Sequence, residues 1–315
     1  MLLNISGRTD IVQYYTPWLL KRLDEWFCYS RNPLFPKTVY RIDLNPQKID
    51  CMVFCSKNYQ PILPYIKEIN NKYRILCHYT ITAYWKDIEP WVPDIDSSIE
   101  TLLKLSEIVW KEKVIWRYDP LLFTQNYNSE YLLKTYEYIA DKVHNHIQRA
   151  LFSFVERYKK LNTNMPELIS FTDDDKIELA KWIWEISRKY NIYVQTCGTD
   201  NLYEEYWVHK SWCVSKEILE QANNVTYKNI KPIWMRKWCH CIPYRDIWYY
   251  DTCLNWCKYC YATKNHENVG NIIKKHNPES PLFIWKIEKD DKIIDMNQES
   301  YIVNNQKSSI QQSLF

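Results

Sequence analysis

CMVFCSKNYQPILPYIKEINNKYRILCHYT, residues 51–80, decides the fold. Cys51 to Cys55 form an apolar run of strand length, and the run closes in polar Ser56, Lys57 and Asn58. A proline-initiated helix follows from near Ile62 to Asn70, and Arg74 to Tyr79 make a second strand closing in Thr80 and Thr82. The unit is strand, polar tip, helix, strand, the grammar of a parallel sheet.

Working outward, the same unit recurs. Upstream, Leu2 to Ser6 is an apolar run ending in Gly7, Arg8, Thr9 and Asp10, and Thr16-Pro17 opens a helix from Trp18 to about Glu25. WFCYSRNP and KTVYRIDL alternate apolar and polar residues and predict a β-hairpin excursion. Downstream, Ser98 to Lys111, Ser129 to His144 and Asp173 to Tyr190 have helical periodicity. Strands are expected at Lys113–Trp116, Ala150–Phe154 and Ile192–Gln195, with a final one at Leu282–Ile287. Six parallel strands, at 2–6, 51–55, 74–79, 113–116, 150–154 and 192–195, predict an α/β fold of TIM-like (β/α) barrel type, partial at about six strands.

In such a barrel the catalytic groups gather at the C-terminal ends of the strands. Arg8, Thr9, Asp10, Lys57, Asn58, Thr80, Arg117, Asp119, Glu156 and Gln195 fall there. Each alone is also an ordinary loop residue or helix cap, and Arg117 with Asp119 also reads as an ion pair that only closes a layer of the barrel. Arg8 and Arg117 suit bidentate binding of a carboxylate or phosphate. Asp10 or Asp119 suits ribose hydroxyls, and Tyr118 or Trp116 suits stacking on adenine.

Composition excludes several classes. With only three glycines, neither a Walker loop nor a Rossmann fingerprint can be written. Seven scattered histidines give no spacing from which to argue a catalytic triad, and a net charge of +3 is too mild to advertise nucleic-acid binding. MLLNISGRTD has no basic or apolar leader region, and no run reaches the roughly eighteen apolar residues of a membrane span, so a soluble cytoplasmic protein is expected, with no membrane partner.

Eleven cysteines without an export signal argue for reduced thiols. Cys28, Cys51, Cys55 and Cys77 lie in strand-like surroundings and are expected to be buried small hydrophobes. Cys197, Cys213, Cys239, Cys241, Cys253, Cys257 and Cys260 crowd into the last third, enough for a three-cysteine and a four-cysteine cluster. In DTCLNWCKYCYA (251–262) the spacing is C-x3-C-x2-C, with Tyr259 directly before the last thiol. Three close thiolates can hold three corners of a four-iron cluster and leave the fourth iron free. A zinc site completed by Cys239 or Cys241 is the alternative, although an x3/x2 spacing is poor zinc-ribbon grammar. The expected organisation is a barrel core at 1–196, a cysteine-rich region packed on its mouth at 197–287, and a flexible tail at 288–315.

SGRTDI (6–11), SRNP (30–33), VFCSKN (53–58), TITAY (80–84), VIWRYDP (114–120), SFVERY (153–158) and YDTCLNWCKYCYA (250–262) resemble, in order and spacing, the bacterial proteins grouped as domain of unknown function 1848. The cysteine motif is similar to that of the radical S-adenosylmethionine enzymes but stands near the C-terminus. The resemblance implies an enzyme in which Cys253, Cys257 and Cys260 bind a [4Fe-4S] cluster, S-adenosylmethionine is cleaved to a 5′-deoxyadenosyl radical, and a hydrogen is abstracted from a substrate. It further implies a second cluster on Cys197, Cys213, Cys239 and Cys241, with zinc or free thiols as alternatives, and a reductant such as flavodoxin or ferredoxin. The GGE element that holds the cofactor's amino group elsewhere cannot exist here, and Ser56, Lys57 and Asn58 are its expected replacement. Substrate is open between a nucleic-acid base or lesion and a small metabolite or peptide. The rival of another class is a non-catalytic, zinc-stapled module that binds nucleic acid or protein.

Overall fold

A computed structural model describes residues 1–5, 7–32, 34–197, 208–210, 212–231, 239, 241–247 and 249–303. The chain begins with β1 (Leu2–Ile5), α1 (Ile11–Tyr14) and α2 (Thr16–Glu25), then the hairpin β2 (Phe27–Arg31) and β3 (Thr38–Asp43). There follow β4 (Cys51–Ser56), α3 (Leu63–Lys72), β5 (Ile75–Thr80), α4 (Ile95–Val109), β6 (Val114–Leu121), α5 (Ser129–Val143) and β7 (Arg149–Phe154). The last third holds α6 (Leu161–Asn164), α7 (Asp173–Lys189), β8 (Tyr193–Thr196), β9 (His209–Lys210), α8 (Lys216–Asn223), β10 (Tyr244–Asp246), α9 (His266–Ile273) and β11 (Lys292–Asp295).

Local chemistry sets the helix ends. Asp94, Asn128 and Ser215 each cap a helix by accepting from a backbone N–H in the first turn, and Thr172 with Asp175 forms a full capping box for α7. Each helix buries one stripe; α5 sinks Leu132, Tyr136, Ile139, Ala140 and Val143, and each large side chain so buried contributes roughly 1.5–3 kcal/mol. Thr16 does not cap α2: its hydroxyl donates back to Val12 O at 2.7 Å, and the cap position is Tyr15.

The main sheet has eight strands in the order β10-β1-β4-β5-β6-β7-β8-β9, with every neighbouring pair parallel. All six strands expected from the sequence are present. The count of about six is corrected to eight, because β9 and β10, at two and three residues, are too short to show an apolar run. β10, the last strand of this sheet in chain order, lies beside β1, and among the described residues no ladder joins β9 to β10. The β2–β3 hairpin forms as expected and is extended by β11, parallel to β3. Leu282 makes only an isolated bridge to Tyr29 instead of opening a strand. Residues 288–303, expected to fray, are anchored: β11 completes the small sheet, and Asp50 accepts from Tyr301 N at 2.7 Å. The tail beyond 303 lies outside the described residues.

Strand alternation separates two cores. One side of the sheet contributes Leu3, Ile5, Met52, Phe54, Ile75, Cys77, Val114, Trp116, Tyr118, Ala150 and Phe152 to the core shared with α1 to α7. The opposite side, called the inner face below, contributes Leu2, Cys51, Val53, Leu76, Ile115 and Leu151, which pack with α8 and with Cys197, Cys239 and Cys241. No described helix is long and apolar enough to cross a membrane.

Candidate metal centre

The loop from Asp251 to Ala262 lies across the C-terminal ends of the main-sheet strands. Asp251 N donates to Ala262 O at 3.1 Å and closes the loop on itself. Asp251 and Trp256 hold left-handed backbone conformations at φ 56° and 54°, uncommon for residues with a side chain. The sheet side pins the loop from several directions. The Tyr15 hydroxyl donates to Thr252 O at 2.6 Å and that of Tyr14 to Asn255 Oδ1 at 2.9 Å. Lys258 N donates to Ile88 O at 3.0 Å, Tyr158 donates to Tyr259 O, and Lys160 Nζ donates to Cys260 O and Thr263 O.

Asp10 is the inner anchor. Its buried carboxylate accepts from Ser56 Oγ at 2.7 Å, Gln13 N at 2.9 Å, Lys57 N at 3.0 Å and Asn255 Nδ2 at 3.2 Å. The tip of β1, the tip of β4 and the cysteine loop thus meet on one side chain. Burial raises its pKa, and the four donors pull the other way.

Glu89 is the second anchor. Its Oε1 accepts from Lys57 Nζ at 2.9 Å, from Thr82 Oγ1 at 2.8 Å and from the Tyr259 hydroxyl. Burial, the largest single influence, would lower the Lys57 ammonium, but Glu89, Cys257 and Asp119 together outweigh it and leave the pKa raised. The ammonium also lies 5.8 Å from the centre of the Tyr259 ring.

Cys253, Cys257 and Cys260 stand between these anchors as free thiols. Cys257 feels the charges of Glu89, Lys57, Cys260 and Cys253, while Cys253 feels Asp10 and Cys260. Burial is the main reason both pKa values are raised, so binding a metal there releases protons. Three thiolates leave a single tetrahedral zinc ion one ligand short, whereas a four-iron cluster with one open iron takes three as they stand.

A family model described as "Domain of unknown function (DUF1848)" matches residues 2–262, from β1 to the end of this loop. The chain belongs to that family. No curated protein and no solved structure matches it.

The DUF1848 chain carries its other four clustered cysteines on the inner face. Cys213 Sγ lies 3.4 Å from Cys241 Sγ, Cys213 is hydrogen-bonded to Cys197, and Cys241 to Cys239. Those hydrogen bonds hold the Cys213 thiol well below its usual range and push Cys241 up. Cys55 belongs with this group more than with the apolar core, since its partners in charge are Arg117 and Cys213. Cys28, Cys51 and Cys77 are fully buried, as expected.

The remaining expected site residues divide. Asp10, Lys57, Ser56 and Tyr259 adjoin the three-cysteine loop. Ser56 Oγ donates to Asp10 at 2.7 Å, and Asn58 Oδ1 caps Gln60 N at 2.9 Å. Arg8 is paired with Asp246 at 3.0 Å and donates to Tyr250. Arg117 pairs with Asp119, which also accepts from Ser153. Thr80 sits opposite Arg117 in register. Gln195 is buried on the inner face and accepts from Arg149 at 2.5 Å.

Two expectations are corrected. Tyr118 faces the helices, donates to Leu132 O at 2.8 Å and packs on Tyr136, so it cannot stack on a ligand. Trp116 is likewise stacked on Tyr136, at 4.7 Å. Glu156, just beyond β7, is exposed and acts on the Tyr158 hydroxyl that holds the loop. Glu89 and Asp246 were missed because an isolated acid in KDIEPW or YRDIW carries no spacing signal. Asn255 could have been found from its place between Cys253 and Cys257.

Proposed function

We propose that this protein is a radical S-adenosylmethionine enzyme, with a [4Fe-4S] cluster on Cys253, Cys257 and Cys260. One observation carries the reading: three reduced thiols, with no fourth cysteine beside them among the described residues, sit over the C-terminal ends of parallel strands. All other cysteines lie elsewhere, three in strand cores and five around the inner-face group, which leaves the fourth corner without a thiolate. When bound, the cluster supplies one-electron cleavage of S-adenosylmethionine to a 5′-deoxyadenosyl radical, with the electron drawn from a flavodoxin- or ferredoxin-like reductant.

The chain's own residues position the loop. Asp10 holds Asn255 and thereby the backbone between the first two cysteines. Glu89 holds Tyr259 directly before the third, and Lys57 balances the Glu89 charge without leaving the site. Tyr158 and Lys160 fix the carbonyls of Tyr259 and Cys260 from beyond β7. A sheet whose eighth strand lies beside its first supports a (β/α) barrel closed at β9 and β10, with the loop at its mouth. The substrate, a nucleic-acid base or a small metabolite or peptide, enters at that mouth.

The test is anaerobic reconstitution with iron and sulfide, then incubation with S-adenosylmethionine and dithionite. The expected product is 5′-deoxyadenosine, lost in the Cys253→Ala, Cys257→Ala, Cys260→Ala triple variant. A reconstituted protein that yields none, or a variant that still yields it, overturns the assignment.

A further inference from the structure

The inner-face cysteines do not fit the second iron–sulfur cluster that the family resemblance implies. They are too close. Cys213 and Cys241 are 3.4 Å apart, Cys197 adjoins Cys213, and Cys239 adjoins Cys241. The four sulfurs form a chain 197–213–241–239, and its central pair already lies inside the separation of about 3.8 Å that one tetrahedral zinc ion imposes. No three of them are all within 4.8 Å of one another, so the two ends swing inward when an ion is taken up.

Their places in the chain give the arrangement a purpose. Cys197 directly follows β8, Cys213 comes shortly after β9, and Cys239 and Cys241 directly precede β10. The β9–β10 junction is where the described ladder stops. The two flanks of that junction touch through the Cys213–Cys241 pair and through Ile242 N, which donates to Val214 O at 3.0 Å. From this we infer that one zinc-type divalent ion, held by Cys197, Cys213, Cys239 and Cys241, staples the seam between β9 and β10.

The surroundings suit a charged centre. Arg117 on β6, paired with Asp119, also feels the charges of Cys213, Cys197 and Cys55 and sets a cation beside two of the four thiolates. Among the described residues, fully buried His78 reaches only the Cys213 backbone, Gln195 Nε2 has no hydrogen-bond partner, and both side chains lie on the inner face. Buried polar atoms left this way are expensive in an apolar interior and cheaper beside an ion and its thiolates. The inference is independent of the radical chemistry, because it concerns a different set of thiols.

Metal analysis of the full-length protein tests it. Anaerobically purified protein should carry about one zinc per chain, lost in Cys213→Ser and Cys241→Ser while iron bound after reconstitution is unchanged. Cys239→His keeps a tetrahedral donor and should retain the zinc, which guards against a serine variant that merely misfolds. Cobalt(II) substitution of the parent should give the visible bands of a tetrahedral thiolate site, and chelation should speed proteolysis between residues 197 and 243. Loss of about four irons with sulfide from the serine variants would overturn the inference in favour of a second cluster. Parent protein that takes up neither zinc nor cobalt would overturn it outright. A colourless protein containing this zinc and no iron would sink the proposed enzyme and leave the staple standing.

Discussion

Lys57 Nζ lies 2.9 Å from Glu89 Oε1, with the two side chains 12% and 2% exposed, and the same oxygen receives the hydroxyls of Thr82 and Tyr259. One carboxylate thus ties the tip of β4 and the segment after β5 to the cysteine loop. Removing one member of a buried pair leaves an uncompensated charge and costs about 3–5 kcal/mol, whereas replacing both by apolar groups is far milder. Glu89→Gln should therefore destabilise the protein strongly, and Lys57→Met with Glu89→Leu much less. Urea denaturation midpoints decide it; a Glu89→Gln variant within about 0.5 kcal/mol of the parent would show that the pair is not coupled.

Asp10 gathers four donors from three places, α1, the tip of β4 and the cysteine loop. Asp10→Ala would strand Lys57 N and Asn255 Nδ2 in the interior, at about 1–3 kcal/mol for each buried group left unpaired. Because Asn255 positions the loop, the variant should also hold less reconstituted iron than the parent, while Asp10→Asn keeps more. Iron assays after gel filtration would contradict this if Asp10→Ala retained the full complement.

Asp246 gives the protein a pH signature. Burial lifts its carboxyl to about 6, against the pull of the Gly7 N–H and Arg8. With the folded value above the ordinary 3.8, the folded state holds the proton longer. The contribution is fully present below about pH 4 and is lost as pH rises through 6, a swing of about 3 kcal/mol. The stability of the parent minus that of Asp246→Asn should therefore fall between pH 4 and pH 7. A difference that rises with pH would mean that the Arg8 ion pair outweighs burial.

Tyr118 separates a packing role from a ligand role. Its hydroxyl is used by Leu132 O and its ring by Tyr136, so Tyr118→Phe should cost about 1 kcal/mol of stability. Affinity for S-adenosylmethionine, measured calorimetrically on reconstituted protein, should not change. A large loss of affinity would return Tyr118 to the site.

The misplacement of Tyr118 shows what was legible and what was not. The βα rhythm could be read because both faces of the strands are buried, which makes each strand an apolar run. The same double burial hides which face is which. Only alternation settles it: Trp116 and Tyr118 share one parity, Arg117 and Asp119 the other. β9 and β10 are too short for any run, and β11 lies in a polar stretch that is ordered by pairing with β3 and by contacts to Asp50. At the site, the cysteine spacing was plain because thiols are rare and their chemistry is local. Glu89 was invisible because its importance comes from Lys57, Thr82 and Tyr259, which reach it only in three dimensions.

The central claim is an iron left free for a small ligand in a cluster on Cys253, Cys257 and Cys260. Mössbauer spectroscopy of protein reconstituted with iron-57 tests it most directly, recorded with and without S-adenosylmethionine. The account predicts that about one quarter of the cluster iron changes its isomer shift when S-adenosylmethionine is added. Spectra identical with and without the cofactor would contradict it.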